Sequence, residues 1–184
     1  MKEQFVILVN ERDEAQGKME KIEAHKKGML HRAFSVFIFN NKGEMLLQRR
    51  ALGKYHSGGL WSNACCSHPY PGESTDAGAL RRLREELGFS TPVHKAFEFT
   101  YRAAFDNGLT EYEFDHVFVG EYNGVIHPNA DEVCDYCYKD FDDIRYSMQV
   151  HPEKFTAWLH IVFPKIEAWW KEHTKKVIAD KSLL

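Results

Sequence analysis

Apolar positions fall into short runs separated by polar punctuation. "QFVILVN" (4–10) reads as a first strand closed by the polar "ERDEAQGK". "HRAFSVFIFN" (31–40) is an apolar, aromatic strand, "NNKG" (40–43) a tight turn and "EMLLQRR" (44–50) a returning strand, so the three predict a hairpin. Residues 51–72 hold glycines and prolines without periodicity and read as a long loop. Long loops in compact domains are functional or disordered, and the buried-type Trp61, Cys65 and Cys66 argue against disorder.

At 74–88 the period changes. In "STDAGALRRLREELG" the positions Ala77, Leu80, Leu83, Arg84 and Leu87 have helical spacing, Ser74 suits the N-cap, Asp76 the positive first turn and Gly88 the stop. Strands are expected at 94–105 and 111–122. In the second, Tyr112, Phe114, His116 and Phe118 share one face and Glu111, Glu113 and Asp115 the other. "EVCDYCYK" reads as one more strand, and 152–173 as a terminal helix kinked at Pro164. Strands dominate without an alternating parallel βαβ pattern, which predicts an α+β, sandwich-like fold with a central and a C-terminal helix.

Composition narrows this without redirecting it. The 184 residues fit one domain, taken as 1–184, with a proper core. A net charge of −3 leaves no electrostatic footprint for nucleic acid. No apolar run is long enough to cross a bilayer and the N-terminal apolar stretch is too short for a signal peptide, so a cytoplasmic protein is expected, with no membrane partner and with Cys65, Cys66, Cys134 and Cys137 as thiols.

Taken alone, the acids and arginines of the 74–88 helix describe a solvated, ion-paired face. The step from loop to helix changes that reading. Glu73, Arg81, Leu83, Glu85, Glu86, Gly88 and Phe89 fall in register with the Nudix box, G-x5-E-x7-R-E-U-x-E-E-x-G-U, which this segment resembles. Ser67 stands at the first glycine and Arg82 at the first helical glutamate. Nudix hydrolases use that glutamate in binding the magnesium that assists pyrophosphate cleavage, so arginine there weakens a hydrolase reading and offers a direct phosphate contact.

Elsewhere, Cys66 lies two residues before His68, His25 and His31 flank a polar segment, and Glu111 and Glu113 share one side of a strand. A lone Cys/His pair in an aromatic loop reads first as core. Three imidazoles and two carboxylates together would suit Mn2+, Mg2+ or Zn2+ by ligand type, though spacing alone does not bring them together.

"AHKKGMLHRAFSVFIFN", "RRALGKYHSGGLWSNACCSHP", "GES" before an arginine-rich helix, "YRA" and "EYEFDHVF" occur in this order between about Lys21 and Trp158. Together they resemble type I isopentenyl diphosphate isomerase, a Nudix-fold branch that isomerises rather than hydrolyses. The resemblance implies a mixed β-sheet and the interconversion of isopentenyl and dimethylallyl diphosphate through a tertiary carbocation. It implies a metal site of His25, His31, His68, Glu111 and Glu113 holding Mn2+ or Zn2+, and a substrate-linked Mg2+ at Glu86. Catalytic roles fall on Cys66, Glu113 and Tyr101. Diphosphate contacts fall on Lys21, Arg50, Lys54, Ser67 and Arg82, and the carbocation faces Trp158. The partner implied is the small-molecule substrate, and the chain is expected as a monomer or weak homodimer.

The implied chemistry requires one acid and one base on opposite faces of a planar centre in a dry site. Cys66 and Glu113 suit this, and which delivers the proton is left open. A competing reading is a pyrophosphohydrolase on the same scaffold, disfavoured by Ser67 and Arg82; another is a diphosphate-sensing module without turnover, disfavoured by the intact acid/base pair. No glycine-rich dinucleotide signature supports a flavin mechanism. "CDYC" (134–137) reads as two inward-facing residues near a strand, with a zinc site shared with Cys65 and Cys66 as the alternative. Trp169 and Trp170 read as helix packing or a contact surface rather than a substrate box. His56, His94, His116, His127, His151, His160 and His173 carry no predicted role.

Overall fold

The computed structural model describes residues 4–181 other than 55 and 106. The described elements run β1 (Phe5–Val9), β2 (Ala15–Glu20), α1 (Lys21–Lys27), β3 (His31–Phe39), β4 (Met45–Arg50), β5 (Trp61–Asn63), β6 (Cys65–Ser67), α2 (Thr75–Leu87), β7 (Val93–Ala104), β8 (Thr110–Glu121), β9 (Val133–Lys139), α3 (Phe141–Val150), a 3-10 turn (Pro152–Lys154) and α4 (Ala157–Lys181). The strands form one mixed sheet, and the class is α+β, as expected.

β3 organises the sheet because it is apolar on both faces. One edge pairs in parallel with β8 along its whole length, from His31↔Glu113 to Phe39↔Glu121, and β7 lies antiparallel on the far side of β8. The other edge is shared end to end by β1 at His31, β6 at Phe34 to Val36 and β4 at Phe39. The predicted hairpin is therefore corrected. β3 and β4 pair only through Phe39↔Met45, and β4 then leaves to pair with β5 and β9. β5 and β6 lie inside the predicted loop, and the chain crosses at Ala64 from β4 to the edge of β3. Asn63 secures the crossing by donating from Nδ2 to the carbonyls of Val36 (3.1 Å) and Cys65 (3.0 Å).

Alternation along β3 divides the core. Phe34, Val36 and Ile38 pack under α2 with Ala79, Leu83 and Leu87; Phe37 and Phe39 pack with Val117 and Val119 against Ile144, Leu159, Phe163 and Ile166 of α3 and α4. On α2 the packed stripe is turned from the sequence stripe: Ala77 and Arg84 are exposed, whereas Ala79, Leu83, Glu86 and Leu87 are buried. Trp170 stacks on Phe39 with ring centroids 3.8 Å apart, the packing role read for it. α4 begins at Ala157, after the 3-10 turn and the extended Phe155, and continues through Pro164.

Gly88 ends α2 at φ +74, where a Cβ would stand 2.4 Å from the His127 carbonyl oxygen. Both the backbone conformation and the space require glycine, so Gly88→Ala is expected to cost at least about 1 kcal/mol, read as a lowered midpoint in urea at unchanged slope.

Candidate active site

The three histidines come from different local structures. α1 starts where β2 ends, with the Glu20 side chain accepting from the Glu23 N–H. His25 is fully buried on this helix, and its Nδ1–H donates to the Lys21 carbonyl at 2.6 Å. Gly28, in the left-handed region at φ +58, closes the helix and turns the chain toward β3. There His31 donates Nδ1–H to the Met29 carbonyl at 2.8 Å. With Nδ1 so used, the neutral form of each ring presents a bare Nε2, the tautomer a metal ligand requires.

The acids come from β8. Strand alternation puts Glu111, Glu113 and Asp115 on one face, as expected, and all three are buried. Parallel register sets Glu113 beside His31, and antiparallel register sets it across from Tyr101. His68, just after β6, completes the group: its Nε2 lies 2.8 Å from Glu113 Oε1 and 3.1 Å from His31 Nε2. Burial pushes the His68 imidazole down to about 4 against the pull of Glu113, so it is neutral at ordinary pH. Burial and the Glu111 charge oppose ionisation of Glu113, but contacts with His31 and His68 outweigh them and hold its carboxyl below the usual range.

Ligand-type atoms of His25, His31, His68, Glu111 and Glu113 all lie within 4.8 Å of one another. His25 Nε2 and Glu111 Oε2 are 2.9 Å apart and buried, and neither has a hydrogen-bond partner among the described residues. Unpartnered electron-pair donors aimed at a common point are costly unless a cation is shared between them, so this set fits a divalent metal. None of the cysteines belongs to it, and all four are free thiols; Cys134 is exposed and Cys137 half-buried, which corrects their reading as two inward-facing residues, since positions three apart fall on opposite faces of β9.

The two adjacent cysteines take opposite faces of β6. Cys65 is buried on the α2 side, 3.5 Å from Glu86 Oε1. Cys66 faces the acids: its S–H donates to Asn63 Oδ1 at 3.0 Å, and Ser35 Oγ lies 3.3 Å away while donating to Asp115 Oδ2 at 2.7 Å. Asn63 Oδ1 is fixed as an acceptor because Nδ2 is held by two carbonyls. Burial, above all, pushes the Cys66 thiol up. Tyr101 donates its hydroxyl to Glu113 Oε2 at 2.6 Å.

A single cavity is lined by the reactive and ligand-type groups Cys66, Tyr101, Glu111, Glu113 and His68, by the polar and charged Lys21, Arg50, Lys54, Ser67, Arg82 and Glu86, and by Trp158 and His56. Every residue to which the resemblance gives a catalytic, metal or substrate role lies on this cavity or in the adjoining histidine–glutamate cluster. Arg82 donates to Glu86 Oε1 from Nη2 at 2.6 Å, and Gln48 donates to Glu86 Oε2 at 2.9 Å. Trp158 is buried at the start of α4, with Nε1–H donating to Ser62 Oγ at 2.8 Å and the Arg50 guanidinium 5.1 Å from its ring.

Two residues given no role in the sequence belong here. Glu132 binds Lys54 and lies 3.2 Å from Arg82 Nη2, so a carboxylate already sits between two cations of the cavity. His56 lies 3.2 Å from Glu111 Oε1 and lines the cavity, which corrects its reading as a bystander. The available signal was proximity: His56 stands two residues from Lys54 inside the string that carries the resemblance.

A NUDIX domain match spans residues 29–159. Among solved structures, a Deinococcus radiodurans protein, DR0079, superposes with a TM-score of 0.74 at 17% identity, covering 88% of this chain and 98% of that one. The fold and the helix-borne carboxylates thus define a NUDIX-domain protein. Similarity over nearly the full length then narrows the class. An isopentenyl-diphosphate Delta-isomerase from Pectobacterium atrosepticum is 51% identical over 90% of this chain and 93% of its own, and an isopentenyl-diphosphate Delta-isomerase 2 from Aromatoleum aromaticum is 49% identical over 85% and 83%. The chain belongs to the isopentenyl-diphosphate Delta-isomerase family.

Proposed function

We propose that this enzyme interconverts isopentenyl and dimethylallyl diphosphate, with Cys66 and Glu113 as the acid/base pair. The observation that carries the assignment is one cavity lined by both groups together with the cationic side chains of Lys21, Arg50, Lys54 and Arg82. The diphosphate goes to Lys21, Arg50, Lys54, Ser67 and Arg82, where opposite charges meet. This leaves the five-carbon skeleton between Cys66, Glu113 and Trp158. One group adds a proton at C4 and the other removes one from C2. A thiol kept protonated by burial and a carboxylate kept ionised by its histidines give the pair opposite states, and the reverse reaction exchanges them. Tyr101 holds the Glu113 carboxyl in orientation through its hydroxyl. The Trp158 face steadies the cation by about 2 kcal/mol or more in a dry site, and exclusion of water protects it from capture.

His25, His31, His68, Glu111 and Glu113 would hold Mn2+ or Zn2+, which would fix the orientation of Glu113 and adjust its proton affinity, while Mg2+ at Glu86 would neutralise diphosphate charge. Arg82 Nε and Nη2 and the Cys65 thiol occupy Glu86 Oε1, whereas Oε2, which accepts from Gln48, keeps a second lone pair for a cation.

The test is proton exchange. Incubation of isopentenyl diphosphate with the metal-loaded protein in D2O should give dimethylallyl diphosphate carrying deuterium in a methyl group, followed by NMR. Release of phosphate with no deuterated product would overturn the assignment.

A pH dependence follows from Lys21. Burial pushes its ammonium down to about 8, with Glu111 opposing and the charges of Lys54, Arg82 and Arg50 adding to the shift. Lys21 is therefore cationic below that pH and neutral above it. The expected result is a fall in kcat/KM as pH rises through about 8, because this ratio reports the free enzyme. In Lys21→Arg that limb should be absent, since arginine does not deprotonate. A wild-type profile flat to pH 9.5 would contradict the role given to Lys21.

A further inference from the structure

His56 is buried at a junction. Its Nε2 lies 3.2 Å from Glu111 Oε1 and its Nδ1 lies 3.2 Å from Ser57 Oγ. Its ring stacks on Phe105, with centroids 5.1 Å apart and planes 18° apart, and meets Trp158 edge-on at 5.7 Å. Its backbone carbonyl accepts from Arg50 Nη2 at 3.3 Å. The next residue, Ser57, adopts φ +52, which is unfavourable for a residue with a Cβ. The loop thus takes up a strained position just where it carries His56 to Glu111.

The two oxygens of Glu111 have different surroundings. Oε1 faces His56, whereas Oε2 is buried without a hydrogen-bond partner among the described residues and points to His25 Nε2. One proton placement satisfies the His56 ring: Nε2–H donates to Glu111 Oε1, and Nδ1 accepts from the Ser57 hydroxyl. A carboxylate with one oxygen engaged has the other left for a cation, and its rotation is fixed.

We propose that His56 is a positioning residue that holds Glu111 as a one-oxygen metal ligand. This rests on the metal-site reading of the histidine–glutamate cluster. His56 acts on the cluster through its contact with Glu111 Oε1. The aromatic contacts with Phe105 and Trp158 set the plane of the imidazole and so the direction of its N–H.

Two substitutions separate this role from packing. His56→Phe keeps a ring against Phe105 and Trp158 but removes the donor. His56→Gln keeps an N–H at comparable reach but removes the ring. Mn2+ affinity is measured by titration of the metal-stripped full-length protein, with folding monitored by circular dichroism, His25→Ala as a site control and His94→Ala as a distant one. The expected result is a loss of about 10- to 100-fold in His56→Phe, with His56→Gln within about 3-fold of wild type. Wild-type affinity in His56→Phe, with metal lost in His25→Ala, would overturn the role of His56 and leave the metal site standing. Equal losses in both His56 variants would assign it to packing and overturn the proposal. Absence of Mn2+ binding by the wild type would overturn the site and the proposal together. If His56→Phe does not fold, His56→Gln decides: near-wild-type affinity supports the donor role and a 10-fold loss or more overturns it.

Discussion

Cys66→Ala and Glu113→Gln are each expected to lower kcat by about 1000-fold or more, the scale of a lost general acid or base, with little change in substrate Kd. Both substitutions leave untouched the cationic side chains of the cavity, to which the diphosphate is assigned in the proposed function. Glu113→Gln keeps the size of the side chain and removes the charge. Cys66→Ala removes the only atom of residue 66 that reaches Asn63 and Ser35 through its side chain, without altering the strand pairing of Ser35 with residue 66. Cys65→Ala is the internal control. Its sulfur lies on the opposite face, against Glu86 beneath α2, so it should turn over nearly as wild type while losing some stability. Binding is measured by calorimetry with isopentenyl diphosphate and turnover by the D2O assay. If Cys65→Ala proves as damaging as Cys66→Ala, the assignment of the thiol is wrong.

His68→Ala is expected to weaken the metal by about 100-fold or more, beyond the loss from any outer partner. His68 Nε2 contacts both Glu113 Oε1 and His31 Nε2, so its loss removes one proposed ligand and frees the side chains of two others to move. Elemental analysis after gel filtration should show the metal retained by the wild type and absent from the variant. Linkage supplies a second reading. A ligand at 100 times its Kd stabilises the folded state by about 2.7 kcal/mol and one at its Kd by only about 0.4 kcal/mol, so added Mn2+ should raise the Tm of wild type several-fold more than that of His68→Ala at the same concentration. Retention of stoichiometric metal by the variant would remove His68 from the ligand set.

Elements with a strong local signal were legible in the chain. α2 was, because its stop residue, apolar spacing and first-turn acid agree. β8 was, because alternation over 111–121 separates acids from aromatics. α1 was not, since seven residues are too few to show a period, and neither was β2, an exposed strand paired only with β1 among the described strands. α3 has Ile144 and Met148 as its buried positions, a stripe too thin to detect. β5 and β6 have three residues each, and their strand character lies in the neighbours they pair with.

The amino-acid order by itself determined the class of fold, the placement of Glu111 and Glu113 on one side of a strand and the residue types of the site, since these depend on periodicity and on motif spacing. Only the tertiary structure decided that the β3–β4 hairpin divides after one pair, that Cys66 rather than Cys65 faces the acids, and that His56 and Glu132 join the site. Those outcomes depend on which edge of β3 each distant segment occupies, and no local pattern encodes contacts between residues 31 and 113 or 56 and 111.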